Sequence, residues 1–200
     1  NALKKILNKS VEKDFFEVKH DFPVDFVGHP LIDAIHNRKK TDEVQFRKEN
    51  HLDEKPIIAI LPGSRKQEIS KMLSVMLSVV NDFTDYQFVI AGAPSQEFEF
   101  YQQFLTTQNV KFVSNKTYDL LSISTAALVT SGTATLETAL FKVPEVVCYK
   151  GGWISYQIAK RIITLKYISL VNLIMDSEVV TELIQKECNQ KNIGKKQNPF

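Results

Sequence analysis

Two short turns in the sequence have the composition of anion-binding sites. The first is LPGSR, Leu61–Arg65, which follows an apolar run and precedes a helical pattern. Gly63 lets a ligand approach the backbone closely, Ser64 can cap the helix, and free N–H groups at a helix start attract anions. Arg65 adds a planar guanidinium suited to phosphate. The alternative is an ordinary strand-to-helix turn with a capping serine and an exposed arginine.

The second turn, SGT at 131–133, precedes another helical pattern. Ser131 and Thr133 offer hydroxyls there, and Gly132 offers a bare backbone amide. Glu137 comes about one turn into that helix, where a carboxylate can accept the two hydroxyls of a ribose, as acidic residues do in nucleotide sites. A helix-capping pattern, with Ser131 or Thr133 as the cap and Glu137 favoured by the helix dipole, explains the same residues equally well.

His29 and Asn172 are two further polar residues whose positions need an explanation. His29 lies in a Gly-His-Pro turn ahead of the first strong strand pattern. It is either structural or lines a cleft beside a hinge. Asn172 lies among apolar residues in SLVNLI, and a buried amide needs hydrogen-bond partners. Those partners are either a neighbouring loop or a ligand.

The sequence lacks the motifs of several common enzyme classes. Neither turn is a Walker loop, and neither has the GxGxxG fingerprint, so a dinucleotide oxidoreductase is not indicated. No His, Cys, Asp or Glu cluster has the spacing of a metal site, and no GxSxG elbow, Cys/His pair or glycosidase-type pair of carboxylates is recognisable. We therefore expect no metal and no cofactor, and the chain shows no obvious general base.

The elements that must position these turns follow a strand–helix alternation. Apolar runs predict strands at 57–61, 87–91, 109–113, 126–129 and 144–149. Helical patterns lie between and after them, at 66–82, 96–105 and 118–123, from 133, and from 151 to about 164. The strands are continuously apolar, which indicates a parallel sheet covered by helices on both faces. The predicted fold class is α/β, a Rossmann-like doubly wound parallel sheet, in which ligands bind at the carboxyl ends of the strands.

Three segments are predicted along the chain. Residues 1–55 are a remnant of an inter-domain region with short elements: a strand, a turn and a short helix over 24–35, then a linker or surface helix over 36–55. Residues 56–187 form the Rossmann-like domain, and residues 188–200 form a weakly ordered, truncated tail. Because the chain begins with asparagine rather than methionine and ends in a polar stretch, we expect a piece of a longer protein.

Composition and charge narrow the function further. The net charge of +2 is too small to indicate nucleic-acid binding, and the 44% hydrophobic content is ordinary for a soluble globular protein. No apolar run is long enough to cross a bilayer, and no signal peptide is recognisable. The two cysteines, Cys148 and Cys188, indicate neither a disulfide framework nor a metal site, and Cys148 is predicted to be a core residue. This cysteine usage fits a reducing compartment.

Five segments, taken in order, resemble the lipid-A-disaccharide synthase family. Each motif alone is modest, but all five in order, over residues 11–188, are specific. They imply an inverting, metal-independent glycosyltransferase of the GT-B type, in which two Rossmann-like halves face a cleft. The matching segments are DFVGHPLIDAI (25–35), ILPGSRKQEI (60–69), SGTATLETAL (131–140), VPEVVCYK (143–150), and ISLVNLI with VVTELIQKEC (168–174 and 179–188).

The resemblance implies a specific reaction. The full enzyme would transfer 2,3-diacylglucosamine from UDP to 2,3-diacylglucosamine 1-phosphate, forming the β-1,6-linked lipid A disaccharide of Gram-negative lipopolysaccharide and releasing UDP. The UDP-sugar is a substrate rather than a cofactor. The chain would be the C-terminal, donor-binding half, inactive alone. In the family, the N-terminal half supplies the acceptor site, a catalytic Asp as the expected general base and most of the membrane contact, so that the enzyme is cytoplasmic and peripheral at the inner membrane. A homodimer is one arrangement open to the full-length protein.

The resemblance also implies roles for the candidate residues around the second turn. Glu137 would hold the ribose of UDP. Ser131, Gly132 and Thr133 would lie near the phosphates, where the two hydroxyls and the bare amide can donate hydrogen bonds.

Around the first turn, Gly63, Ser64 and Arg65 match the family's GSR element. Arg65 would face the diphosphate and stabilise the leaving UDP as negative charge develops, which gives it a catalytic role. Asn172 matches a functional asparagine of the family and is the second residue assigned to catalysis. In the family the residue before it is often proline, whereas Val171 takes that position here.

Two other readings of the same residues stay open. One is another GT-B enzyme that uses a UDP-sugar, such as a UDP-N-acetylglucosamine 2-epimerase or the peptidoglycan glucosaminyltransferase, although the GHP and SLVN segments favour the disaccharide synthase. The other is a non-catalytic, nucleotide-binding or regulatory α/β module. The apparent lack of a general base fits such a module, and the absence of an N-terminal half explains it equally well.

Overall fold

The computed structural model describes residues 17, 18, 20–23, 25, 30–105, 109–151 and 166–196. Within these residues a six-stranded sheet has the order β3-β2-β1-β4-β5-β6, and every strand pair is parallel. This is the strand order of the Rossmann fold, with the order reversing between β1 and β4. The strands are β1 (Ile57–Leu61), β2 (Gln87–Gly92), β3 (Val110–Ser114), β4 (Ala126–Thr130), β5 (Glu145–Tyr149) and β6 (Thr181–Ile184).

Helices connect the strands and precede and follow the sheet. The longest, α3, ends at Leu77 rather than near 82 as predicted, and a short 3-10 turn at Val80–Asp82 follows it. The helices of the described residues are α1 (Pro30–His36), α2 (Glu43–Glu49), α3 (Lys66–Leu77), α4 (Phe98–Gln102), α5 (Thr117–Ser122), α6 (Thr133–Leu140), α7 (Leu170–Met175) and α8 (Gln190–Lys196).

The core lies on both faces of the sheet. Side chains of a strand alternate between faces, so Ile58 and Ile60 of β1 pack into one cluster while Ile57, Ala59 and Leu61 pack into another. The first cluster is closed by α3, α4 and α8, and the second by α2 and α5. All residues of β1, β2 and β4 are buried. The predicted Rossmann-like, doubly wound α/β fold is therefore confirmed.

Helix α3 shows how the sequence pattern produces this packing. Ile69, Met72, Leu73 and Met76 recur at intervals of three and four residues, which places them on one face of a helix. All four are buried against the sheet. The polar residues between them face solvent, so the helix crosses one face of the sheet with its first turn held at the carboxyl end of β1.

Two parts of the chain are more ordered than the sequence indicates. Strand β6 was not predicted; it pairs with β5, with Cys148 opposite Leu183. The expectation of a weakly ordered stretch from residue 188 is wrong up to residue 196, because α8 packs on the sheet and Cys188 and Ile193 are completely buried. The short edge strand is only partly buried, so its apolar pattern is too weak to predict it.

Other expectations concern parts that the structure describes only partly. The surface-helix alternative for 36–55 matches α2, which Asp42 caps and whose Phe46 packs against the sheet. Most of the strand predicted from residue 24, the residue His29 of the predicted turn, and residues 152–164 of the predicted helix lie outside the described residues. Both cysteines are unbridged and buried; burial was predicted for Cys148 only. Over the described ranges, no helix has the length and apolar character needed to cross a membrane.

Candidate functional site

A cleft of about 290 Å³ lies at the point where the strand order reverses. In an open α/β sheet this is the expected place for a ligand, since the connections after the two neighbouring strands leave in opposite directions. Its wall combines both predicted turns with the ends of β2 and the start of α5. The lining residues are Leu61, Pro62, Gly63, Ser64, Glu68, Ala91, Gly92, Ala93, Thr117, Thr130, Ser131, Gly132, Thr133, Ala134 and Glu137; we call this the first cleft.

The first turn has the backbone geometry that its glycine suggested. Gly63 has a φ of +102°, and a Cβ there would collide with the carboxylate of Glu68. Ser64, however, does not cap α3: the N-cap position belongs to Arg65, whose side chain makes no capping hydrogen bond. Instead, the backbone N–H of Ser64 donates to Oε2 of Glu68 at 3.2 Å. An internal carboxylate thus occupies a position where an external anion would bind.

The second turn is also uncapped by its side chains. The N-cap of α6 is Gly132, with a φ of +144° and no side chain to accept from the first-turn N–H groups. A Cβ on Gly132 would meet nothing within 4 Å among the described residues, so the approach to this backbone is open. Ser131 donates from Oγ to the carbonyl of Ile168 at 2.7 Å. The capping role proposed for Ser131 or Thr133 is therefore not what the structure shows.

Glu137 lies on the wall of the first cleft and is held by a tyrosine. The hydroxyl of Tyr118 donates to Oε1 of Glu137 at 2.9 Å, and the Tyr118 ring packs against Phe141. The pKa of Tyr118 is raised to about 12, chiefly by burial. The hydrogen bond to Glu137 and the negative charge of Glu137 raise it further. The tyrosine therefore stays protonated and remains a donor. Sequence analysis missed Tyr118, because it precedes Glu137 by 19 positions and only the fold brings them together.

Arg65 lies in a second hollow beside the first cleft, with a volume of about 350 Å³. Three lysines share this hollow with it, and Glu68 and Thr130 line both spaces. Arg65 and Glu137 are thus in adjoining hollows rather than in a single one. The lining residues are Arg65, Lys66, Gln67, Glu68, Lys71, Met72, Thr130, Tyr149, Lys150 and Gly151; we call this the basic hollow.

Asn172 lines neither space and is completely buried. Its Nδ2 donates to the carbonyl of Val180 and to Oε1 of Glu182, both at 2.8 Å. Its Oδ1 accepts from the backbone N–H groups of Val179 at 2.7 Å and Val180 at 3.0 Å. All hydrogen-bonding positions of the amide are therefore used within the chain. This arrangement matches the structural alternative for Asn172 and gives its side chain no free group for catalysis.

The network around Asn172 nevertheless reaches the first cleft. Glu182 accepts from the backbone N–H groups of Ile168 and Ser169, each at 2.9 Å. The carbonyl of Ile168 in turn accepts from Ser131, which lies at the cleft. Sequence analysis missed Glu182, because its position on a partly exposed edge strand gives no local signal. Asn172 and Glu182 together fix the loop on which the second turn rests.

In the described part of the chain, no group of three or more His, Cys, Asp or Glu side chains is placed to hold a metal ion. The chemical resources of the site are backbone N–H groups at two helix starts, a ribose-compatible carboxylate and a set of cations. These suit a nucleotide with an anionic tail.

Two solved structures resemble this fold. One is the UDP-GlcNAc 2-epimerase of Methanocaldococcus jannaschii in complex with UDP-GlcNAc and UDP, with a TM-score of 0.59, 13% identity and coverage of 92% of this chain and 51% of that one. The other is the ADP-heptose lps heptosyltransferase II of E. coli, with a TM-score of 0.56, 12% identity and coverage of 90% and 55%. At such low identity they support the fold alone.

Curated relatives are much more similar in sequence. The lipid-A-disaccharide synthase of Idiomarina loihiensis is 37% identical over 193 residues, which covers 91% of this chain and 50% of the relative. That of Persephonella marina is 33% identical over 201 residues, covering 94% and 51%. The chain thus spans about half the length of the curated relatives it matches. A family model described as lipid-A-disaccharide synthetase matches residues 9–199, and the chain belongs to this family.

Proposed function

We propose that this chain is the donor-binding half of a lipid-A-disaccharide synthase, a GT-B glycosyltransferase that uses a UDP-sugar. The observation that carries the proposal is the first cleft itself. It brings Gly63 and Ser64, Gly132 and Thr133, and Glu137 to one space at the strand-order reversal. Family membership over residues 9–199 supports the proposed reaction. The first cleft supports the assignment of donor binding to this chain.

Glu137 binds the ribose of UDP in this proposal. Its Oε1 is occupied by the Tyr118 hydroxyl, and Oε2 is engaged by none of the residues described. The carboxylate is thereby oriented while keeping acceptor capacity for ribose hydroxyls. Since the raised pKa keeps Tyr118 protonated, this orientation persists over the whole physiological pH range.

The phosphates of UDP bind at the two helix starts. The N–H groups of Ser64, Gly132 and Thr133 are suited to anionic oxygens, and the dipoles of α3 and α6 add favourable potential. Glu68 must leave the Ser64 N–H before a phosphate can take its place. Glu68 also lines the basic hollow, where its carboxylate would lie among cations after this displacement.

Arg65 stabilises the leaving group. In the proposed reaction the 6-hydroxyl of 2,3-diacylglucosamine 1-phosphate attacks the anomeric carbon of the donor sugar, and the bond from that carbon to the UDP oxygen breaks. The electron pair passes to the diphosphate, whose growing charge the Arg65 guanidinium offsets from the basic hollow. A base in the other half of the proposed enzyme takes the hydroxyl proton.

The remaining parts of the proposal concern the full-length protein. Its second half binds the acylated acceptor and makes most of the contact with the cytoplasmic face of the inner membrane. Half a cleft cannot hold both substrates in line, so the isolated chain is expected to bind UDP but not to turn over.

The test is donor binding and transfer by the full-length enzyme. Calorimetry should show that the enzyme binds UDP. An assay of UDP release with a panel of UDP-sugars should show turnover only when both a 2,3-diacylglucosamine donor and its 1-phosphate acceptor are present. Failure to bind UDP would refute the proposed site. Epimerisation of a UDP-sugar without any acceptor, or binding without transfer, would replace the synthase by one of the alternatives.

A further inference from the structure

Thr130, the last residue of β4, has a buried hydroxyl without a partner. The residue is only 3% exposed, and its Oγ1 accepts or donates no hydrogen bond among the described residues. The buried threonines of the next helix behave differently: Thr135 donates to the carbonyl of Gly132 and Thr138 to that of Ala134, both at 2.8 Å. Because buried polar groups are nearly always paired, the Thr130 hydroxyl needs an explanation.

Its place in the sheet is at the junction of the two spaces. Thr130 lines both the first cleft and the basic hollow. Strand alternation puts it on the same face of β4 as Leu128, the face that α3 covers. Its partner in register is Cys148 of β5, two residues before Lys150 of the basic hollow.

The charges of the basic hollow, which Thr130 also lines, favour an anion. Arg65, Lys71 and Lys150 line the basic hollow, and none of the three forms an ion pair with another described residue. Glu68 is the one carboxylate among the residues that line this hollow. A hydroxyl donor on a residue that lines such a space is suited to a charged oxygen, and hydrogen bonds to charged acceptors are the stronger kind.

We propose that Oγ1 of Thr130 donates a hydrogen bond to an oxygen of the distal phosphate of the bound nucleoside diphosphate. The inference rests on the proposed function. Glu137 lies in the first cleft only, and Arg65 in the basic hollow only. A nucleoside held at Glu137 has its proximal phosphate at the helix starts, so the next phosphate reaches the junction where Thr130 lies.

The experiment compares Thr130→Val, which removes the hydroxyl but keeps the shape, with Thr130→Ser, which keeps the hydroxyl. Calorimetry on the full-length enzyme measures the affinity for UDP, UMP and uridine. Thr130→Val should weaken UDP about tenfold or more and change UMP and uridine by less than about threefold. Thr130→Ser should bind UDP within about threefold of the unaltered enzyme.

Three results of the binding experiment would overturn the assignment. Unchanged UDP affinity in Thr130→Val would leave the hydroxyl without a ligand, and an equal loss for UMP would move the contact to the proximal phosphate. If the unaltered enzyme binds no UDP, the proposed function falls and this inference with it; the first two results leave the proposed function standing.

Thermal unfolding of the free protein gives an independent readout. Thr130→Val should keep or raise the melting temperature, because it removes an unpaired buried hydroxyl. The matched control Thr138→Val removes a hydroxyl that is paired with Ala134 and should lower it. A decrease in Thr130→Val as large as that in the control would reveal a partner within the protein and contradict the proposal.

Discussion

The cleft around Glu137 and the network around Asn172 are both built on a carboxylate beside a strand–helix connection, yet their polar groups are paired to different extents. In the network, Asn172 uses all its hydrogen-bonding positions, and Glu182 accepts from two backbone N–H groups and two side chains. In the cleft, one oxygen of Glu137, the helix start at Gly132 and the hydroxyl of Thr130 have no partner among the described residues.

This difference separates structural from ligand-binding polar groups better than residue type does. Removing a polar group that is fully paired inside the chain lowers the stability of the protein, because its partners are left buried and unpaired. An unpaired polar group on the wall of a hollow has instead capacity for a ligand. By this contrast Asn172 and Glu182 are structural supports, and the proposed ligand contacts are Glu137, Thr130 and Arg65.

The largest effect is expected for Arg65→Ala, which should lower kcat/KM of the full-length enzyme on the order of 100- to 1000-fold while the protein stays folded. The reason is the loss of a charge that stabilises the departing diphosphate. UDP release in the steady state measures it. Lys186→Ala, which removes an exposed charge outside both hollows, is the matched control. Turnover like that of the unaltered enzyme would exclude Arg65 from the mechanism.

Asn172→Ala should act on stability instead. It leaves two backbone N–H groups, a carbonyl and Glu182 short of partners, so the free energy of unfolding should fall by about 3 kcal/mol. Denaturant unfolding measures the loss, and Asn81→Ala, at an exposed position, should change stability by less than about 0.5 kcal/mol. Full stability combined with lost UDP binding would show that Asn172 contacts ligand after all.

Glu137→Ala should weaken UDP about 10- to 100-fold, because hydrogen bonds between ribose hydroxyls and a carboxylate are charge-assisted. Calorimetry with UDP and with 2′,3′-dideoxy-UDP tests the assignment directly. The dideoxy ligand lacks the hydroxyls, so the variant and the unaltered enzyme should bind it with similar affinity. If both ligands are weakened equally, Glu137 supports the helix rather than the ribose.

Tyr118→Phe should have the smallest effect and one that depends on pH. The folded-state pKa of about 12 lies above the ordinary value of 10.0, so the protonated tyrosine favours the folded state. This contribution is complete below pH 10 and is lost as the pH rises through 12. Unfolding free energies between these limits should therefore fall more steeply in the unaltered protein than in Tyr118→Phe. Parallel pH profiles would contradict the raised pKa of Tyr118 in the folded protein.

Much of the sheet was predictable because a buried strand or helix face has a recognisable pattern of apolar residues in the sequence. Strands β1 and β4 are buried along their whole length and read as continuous apolar runs, and α3 repeats its apolar residues at helical spacing. The edge strand β6 has only Leu183 fully buried, so its sequence resembles a loop. Helix α8 is anchored chiefly by Ile193, and a single buried residue does not make a pattern.

By itself, the sequence determined the α/β class, the two glycine-containing turns and the carboxylate one turn into α6, because each depends on residues that are neighbours along the chain. Only the tertiary structure decided which of these meet. It joined Glu137 to Tyr118, enclosed Asn172 in a paired network, set Arg65 in an adjoining hollow and left Thr130 unpaired. The physical reason is that hydrogen-bond pairing depends on distance in space, and positions far apart in a chain carry no record of that distance.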